Sequence, residues 1–127
     1  MSLRRAIPQN EIVQASNAST VLDREQLRDV TMDDEELMRE ILATLLDDTS
    51  THIQKLKSAV GESDSNLCMR LAHYCKGSCS NVGANAVASV FQNIERQARD
   101  LEFQQCTASL AALATEMERL RTEVTAF

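Results

Sequence analysis

Residues Leu71 to Ala84 read LAHYCKGSCSNVGA, and the fold follows from how this stretch divides between two faces. On a helical wheel at roughly 100° per residue, Cys75 and Cys79 fall within about 20° of Cys68, with Leu71, Ala72 and Val82 close by. His73 falls roughly 140° away, in the company of Lys76, Gly77 and Ser80. One face is therefore apolar and fit to be buried against other helices. The other carries an imidazole, an ammonium, a hydroxyl and a patch of bare backbone. Asn81 and Gly83 mark the end of this helix.

The polar face has a chemical reading. A neutral imidazole is a nucleophile able to form a covalent intermediate, and an exposed one with the ordinary pKa near 6.5 is largely neutral at cell pH. Lys76 lies one turn along, within reach of any anion carried by His73. Glycine inside a helix costs about 1 kcal/mol against alanine, so Gly77 needs a reason; a missing Cβ beside the imidazole lets a partner's backbone come close. The face offers no Asp or Glu as a base, and no Ser-His-Asp order is present. These groups suit a phosphoryl group held on nitrogen and handed to a docking protein. Plainer readings stand beside this one. Lys76 and Arg70 also read as solvated cations, Gly77 as a site of close helix packing, and Ser78 as a hydroxyl bonded back to a carbonyl one turn earlier. Ser80 reads equally as docking or inert surface, and His52, without comparable neighbours, reads as surface. Cys68, His73, Cys75 and Cys79 are zinc-ligand types, but the wheel turns His73 away from the three thiols and no C-x-x-C pair occurs. No metal site is expected.

His73, Lys76, Gly77, Ser78, Gly83 and Ala84, in the order H-x-x-K-G-S-x-x-x-x-G-A, resemble the signature of histidine-containing phosphotransfer (HPt) domains, the carriers of multistep phosphorelays. The helical pattern from 21 to 127 also resembles that family's four-helix bundle with a short leading helix. Cys79 departs from the motif, where the family usually has a second Ser, and so does Cys75, where it often has Leu. Both fall on the inner face, where they alter packing rather than chemistry. The resemblance implies that His73 accepts a phosphoryl group, through Nε2, from a receiver-domain aspartate and passes it to another. It implies that Lys76 steadies the phosphate and that Gly77 gives the partner access; Met69, Arg70 and Ser80, outside the motif, are the candidate partner-binding residues on the same helix. It further implies response-regulator receivers as partners, with Mg²⁺ supplied by the receiver and no cofactor held here. The domain is then a phosphotransfer intermediate rather than an autonomous enzyme, and with no nucleotide-binding loop it has no ATP-dependent kinase activity of its own. The alternative is a non-catalytic helical interaction module, a pseudo-HPt domain that binds a receiver or kinase on the same face. A purely structural bundle leaves Gly77 unexplained.

Composition sets the outer bounds. A chain of 127 residues makes one domain, long enough to bury a single core. Three Gly and one Pro, with 43% apolar residues and no Trp, leave little material for strands and turns, so the class is all-α. The architecture expected is an up-and-down antiparallel four-helix bundle with a short additional N-terminal helix. The net charge of −6 argues against a nucleic-acid surface. No apolar run approaches the roughly 20 residues of a membrane span, and no secretory core follows the start, so the expected location is cytoplasmic. In that compartment the four Cys are expected to be reduced and buried. A complete bundle with one polar reactive face favours a monomer.

Residues 1–20 are polar, and their Pro8 and Asn/Ser/Ala run read as a linker or tail. That composition fits a domain cut from a longer polypeptide, such as a hybrid histidine kinase, and fits a free-standing protein with a loose tail as well. Asp23 with Gln26 reads as a capping box before a short helix, with Val21, Leu22 and Leu27 closing one end of the bundle. Thr31 with Asp34, or Asp33 with Glu36, is expected to cap the first long helix, whose inner stripe is Leu37, Ile41, Leu45, Ile53, Leu56 and Val60. The polar run 47–51 is expected to bend it, and Gly61 to end it in the left-handed conformation. Ser63 or Asp64 then caps the helix bearing His73. The third helix buries Ala86, Val87, Val90, Phe91, Ile94 and Ala98. Asp100 opens the turn to a fourth helix, which buries residues from among Cys106, Leu110, Leu113, Met117, Leu120 and Val124.

Overall fold

The computed structural model describes residues 20–127. Among them the chain forms five helices and no strand: α1 (Arg24–Val30), α2 (Glu35–Gly61), α3 (Ser65–Asn81), α4 (Asn85–Arg99) and α5 (Phe103–Thr125). Residues 62–64, 82–84 and 100–102 connect the four long helices, and connections this short force neighbours antiparallel. α3 packs against α2 and α4, and α5 closes the bundle against α4 and α2. The tail expected at 1–20 falls, apart from Thr20, outside the described residues.

Asp23, Asp34 and Asp64 start α1, α2 and α3, each accepting the N–H three residues on, from Gln26, Leu37 and Leu67. Asp34, rather than Thr31 or Asp33, therefore caps α2. Thr31 is buried instead, and its hydroxyl donates to the Leu27 carbonyl at 2.7 Å. The Asp23 box closes on one side only. The Gln26 amide reaches across to the carbonyls of Ser80 (2.6 Å) and Asn81 (3.3 Å) at the end of α3. α1 is thereby fastened to the α3–α4 connection, where Asp23 N–H also donates to the Gly83 carbonyl at 2.8 Å. Leu22 and Leu27 are buried beneath it.

α2 differs from its expected form in three ways. It runs unbroken through 47–51, and Thr49 in that run is buried, with its hydroxyl 3.9 Å from the Cys79 sulfur. Its buried set includes Met38, Leu42 and Ala59 beside Leu45, Leu56 and Val60, whereas Ile41 and Ile53 are partly covered and Leu37 is 36% exposed. A helix held between α3 and α5 buries an arc wider than one stripe, and Leu37 lies at its open edge. Gly61 remains the last helical residue, and the left-handed backbone falls on Ser63, at φ 55°. Elsewhere the expected core holds: Phe91, Ile94, Ala98, Cys106, Leu113 and Leu120 are fully buried, while Val90, Leu110 and Val124 pack at its margin.

Candidate functional site

α3 is placed by its apolar side. Cys68, Ala72, Cys75 and Cys79 are sealed in the core, which turns His73 outward with 69% of its side chain exposed. Lys76 and Gly77 share that face one turn on, as the 3.6-residue period requires. A Cβ added at Gly77 would meet nothing within 4 Å. Close packing therefore does not explain this glycine; it borders open space next to the imidazole. Arg70 is exposed, Met69 is half-buried with the Ser65 hydroxyl 3.7 Å from its sulfur, and the Ser80 hydroxyl donates back to the Lys76 carbonyl. Ser78 has turned off this face and lines a groove between α2 and α3.

No acid lies on the polar face of α3 itself, but α4 brings one to it. Glu95 places Oε2 3.1 Å from His73 Nδ1 and Oε1 3.2 Å from Lys76 Nζ, with its side chain 15% exposed. Sequence spacing supplies no register between α3 and α4, so this contact was not readable from the motif. The one available signal was the position of Glu95 directly after buried Ile94, on a helix expected to pack beside α3.

The α2 side of His73 carries a second cluster. The Tyr74 hydroxyl donates to Asp48 Oδ2 at 2.9 Å, and that carboxylate holds the phenol above its ordinary pKa. The Tyr74 ring stacks on His52 with centroids 4.5 Å apart. His52 is thus not free surface: it is mostly covered, with Nδ1 2.8 Å from the Asp48 carbonyl. Leu37, Glu40, Ile41, Thr44, Leu45, Asp48, Tyr74 and Ser78 line a groove of about 370 Å³ here.

The four thiols are free and buried. Burial pushes Cys75 up to about 12 and Cys68 and Cys79 up to about 11, and raises Cys106 as well. Thiols held neutral in this way are poor nucleophiles and poor metal ligands. Three of them face inward while His73 faces out, so one tetrahedral site cannot take all four groups. Among the described residues no cluster of three or more His, Cys, Asp or Glu is placed to hold a metal ion.

The Hpt domain family model matches residues 40–123, which take in His73, Lys76 and Gly77 together with most of the bundle. The chain belongs to the Hpt domain family. Its fold is similar to that of histidine-containing phosphotransfer protein B (HptB) from Pseudomonas aeruginosa PAO1. The TM-score is 0.78 at 25% identity, and the match covers 84% of this chain and 93% of that one. No curated protein sequence matches the chain. As an Hpt domain it is a phosphorelay carrier, and domains of this family interact with receiver domains. No helix among the described residues is long and apolar enough to cross a membrane.

Proposed function

We propose that His73 is the phosphoacceptor of this Hpt domain. The observation that carries the reading is an imidazole 69% exposed, with Nδ1 engaged by Glu95, which leaves Nε2 for the incoming group. A phosphorylated receiver aspartate docks over this face, its phosphorus in line with Nε2. The N–P bond forms as the acyl-phosphate P–O bond breaks, and a second receiver aspartate removes the group by the reverse reaction. Lys76, one turn on, steadies the phosphoryl oxygens by charge-assisted hydrogen bonds. Gly77 leaves the approach open. Met69, Arg70 and Ser80 extend the docking face along α3, and the α2–α3 groove extends it sideways. Mg²⁺ arrives with the receiver. We place the domain in the cytoplasm as a monomer, free-standing or within a hybrid histidine kinase. No observation favours a non-catalytic interaction module.

The test is transfer from a receiver domain charged with acetyl phosphate. The wild-type protein gains an acid-labile, alkali-stable label, and His73→Gln gains none while its circular dichroism is unchanged. Equal labelling of the two proteins overturns the assignment.

A further inference from the structure

The groove between α2 and α3 begins where the acceptor face ends, since Tyr74 and Ser78 on its α3 wall are the chain neighbours of His73 and Gly77. Its α2 wall is built of two rows at helical spacing. Leu37, Ile41 and Leu45 make an apolar row, and Glu40, Thr44 and Asp48 make a polar row beside it. From this geometry we infer that the groove is a specificity site that takes an arginine side chain from the receiver docked over His73. The inference rests on His73 being the acceptor, and it adds which receivers fit.

A long cationic side chain matches both rows at once, because its methylene stem covers apolar surface while its charged head stays at a polar edge. The stem lies along Leu37 and Ile41, and the head meets the carboxylates of Glu40 and Asp48. Glu40 is exposed, and 38% of the Asp48 side chain is exposed. Asp48 accepts from the Tyr74 hydroxyl through Oδ2, and an ionised carboxylate retains further acceptor sites beyond one such bond. Among the described residues no lysine or arginine is paired with either carboxylate. The surrounding charge has the same sign: from 35 to 54, Glu35, Glu36, Glu40, Asp47 and Asp48 stand against Arg39 alone. The field over this part of α2 therefore draws a cation towards the groove.

Tyr74 makes the choice sharper. It is half-exposed, yet its hydroxyl is bonded to Asp48 at 2.9 Å and its ring is stacked on His52 with centroids 4.5 Å apart. A ring held at both points loses little freedom when a partner docks. Its π-system attracts a guanidinium laid against it. Lysine offers the charge without the planar donor fork or the stacking. An aliphatic side chain would strip water from Glu40 and give no hydrogen bond in return, and an acidic one would be repelled. Arginine answers the apolar row, the carboxylates and the ring together.

The experiment titrates the unphosphorylated protein with the receiver domain that labels it in the transfer assay, using isothermal titration calorimetry. Glu40→Gln is expected to weaken binding about tenfold, and Glu40→Arg about 100-fold, the scale of charge contacts at an interface, while circular dichroism is unchanged. The wild-type Kd should rise as NaCl goes from about 50 to about 500 mM, and that of Glu40→Gln should rise less. Changing the exposed arginines of the receiver to glutamate one at a time should reveal one whose loss weakens binding to the wild type and restores binding to Glu40→Arg. Equal Kd values for the wild type, Glu40→Gln and Glu40→Arg overturn the inference, and so does the lack of any such arginine. A loss caused by Leu37→Ala but by neither change at Glu40 also overturns it, and makes the occupant apolar. Self-association of the protein that Glu40→Arg abolishes overturns it too, and gives the groove to a second copy. The titration involves no phosphoryl transfer, so the acceptor reading fails separately: equal labelling of the wild type and His73→Gln removes the acceptor whatever the binding constants show.

Discussion

Gly77 is the residue at which stability and the proposed function make opposite demands. It sits in mid-helix and exposed, and a Cβ there would touch nothing. Packing alone would therefore favour alanine, by about 0.5–1 kcal/mol. Gly77→Ala should accordingly raise the urea midpoint. Gly77→Phe should keep the native circular dichroism and near-native stability, yet lose about 100-fold in transfer from a charged receiver, because displacing a reacting group by an ångström costs on that order. Wild-type transfer by Gly77→Phe would show that the open space beside His73 is not used. The glycine, like His73 and Lys76, was legible in the sequence because all three lie within one and a half turns of a single helix, where spacing alone fixes who shares a face. Glu95 lies 22 residues from His73, and its place depends on how α3 and α4 slide against each other, which no local pattern encodes.

The helices themselves were legible to the same degree, and for the same reason. The period locates α3, α4 and α5, because each buries one clear arc; Asp64 also caps α3, whereas α4 and α5 start without a side-chain cap. α2 was read one-sidedly: packed on both α3 and α5, it hides Met38 and Leu42 and releases Leu37 to the edge of the groove. Gly83 was read correctly as the stop of α3, but its second duty appears only in three dimensions. Its φ is +88°, and a Cβ there would lie 2.7 Å from the Asp23 carbonyl oxygen. Position 83 thus sets the turn into α4 and also admits α1, whose Asp23 N–H donates to the Gly83 carbonyl. Gly83→Ala should cost about 1–3 kcal/mol from backbone strain alone. Urea denaturation would measure the loss, and hydrogen exchange should show α1 opening before the four long helices. Unchanged stability would mean that the chain relieves this contact by moving α1 without penalty.

At the scale of the whole molecule, the bundle keeps the exposed face proposed as the acceptor site apart from a core that holds four thiols. These thiols make the fold sensitive to alkali in a definite direction. Each is held as the neutral thiol in the folded protein, at about 11 for Cys68 and Cys79 and about 12 for Cys75, against an ordinary value of 9.0. Below pH 9.0 both folded and unfolded chains keep their thiol protons, and stability is indifferent to these groups. Above it the unfolded chain releases protons that the folded chain retains, so the unfolded state gains and stability falls as pH rises towards 11 or 12. The melting temperature should thus decline across that window. The slope should flatten when Cys75 is replaced by alanine, even though that variant starts from a lower stability because of the cavity it leaves. A thiol reagent at neutral pH should titrate none of the four cysteines in the native protein and all four in urea. Rapid modification of the folded protein would mean that the thiols lie open to solvent; a core open in that way could not fix the side of α3 on which His73 emerges.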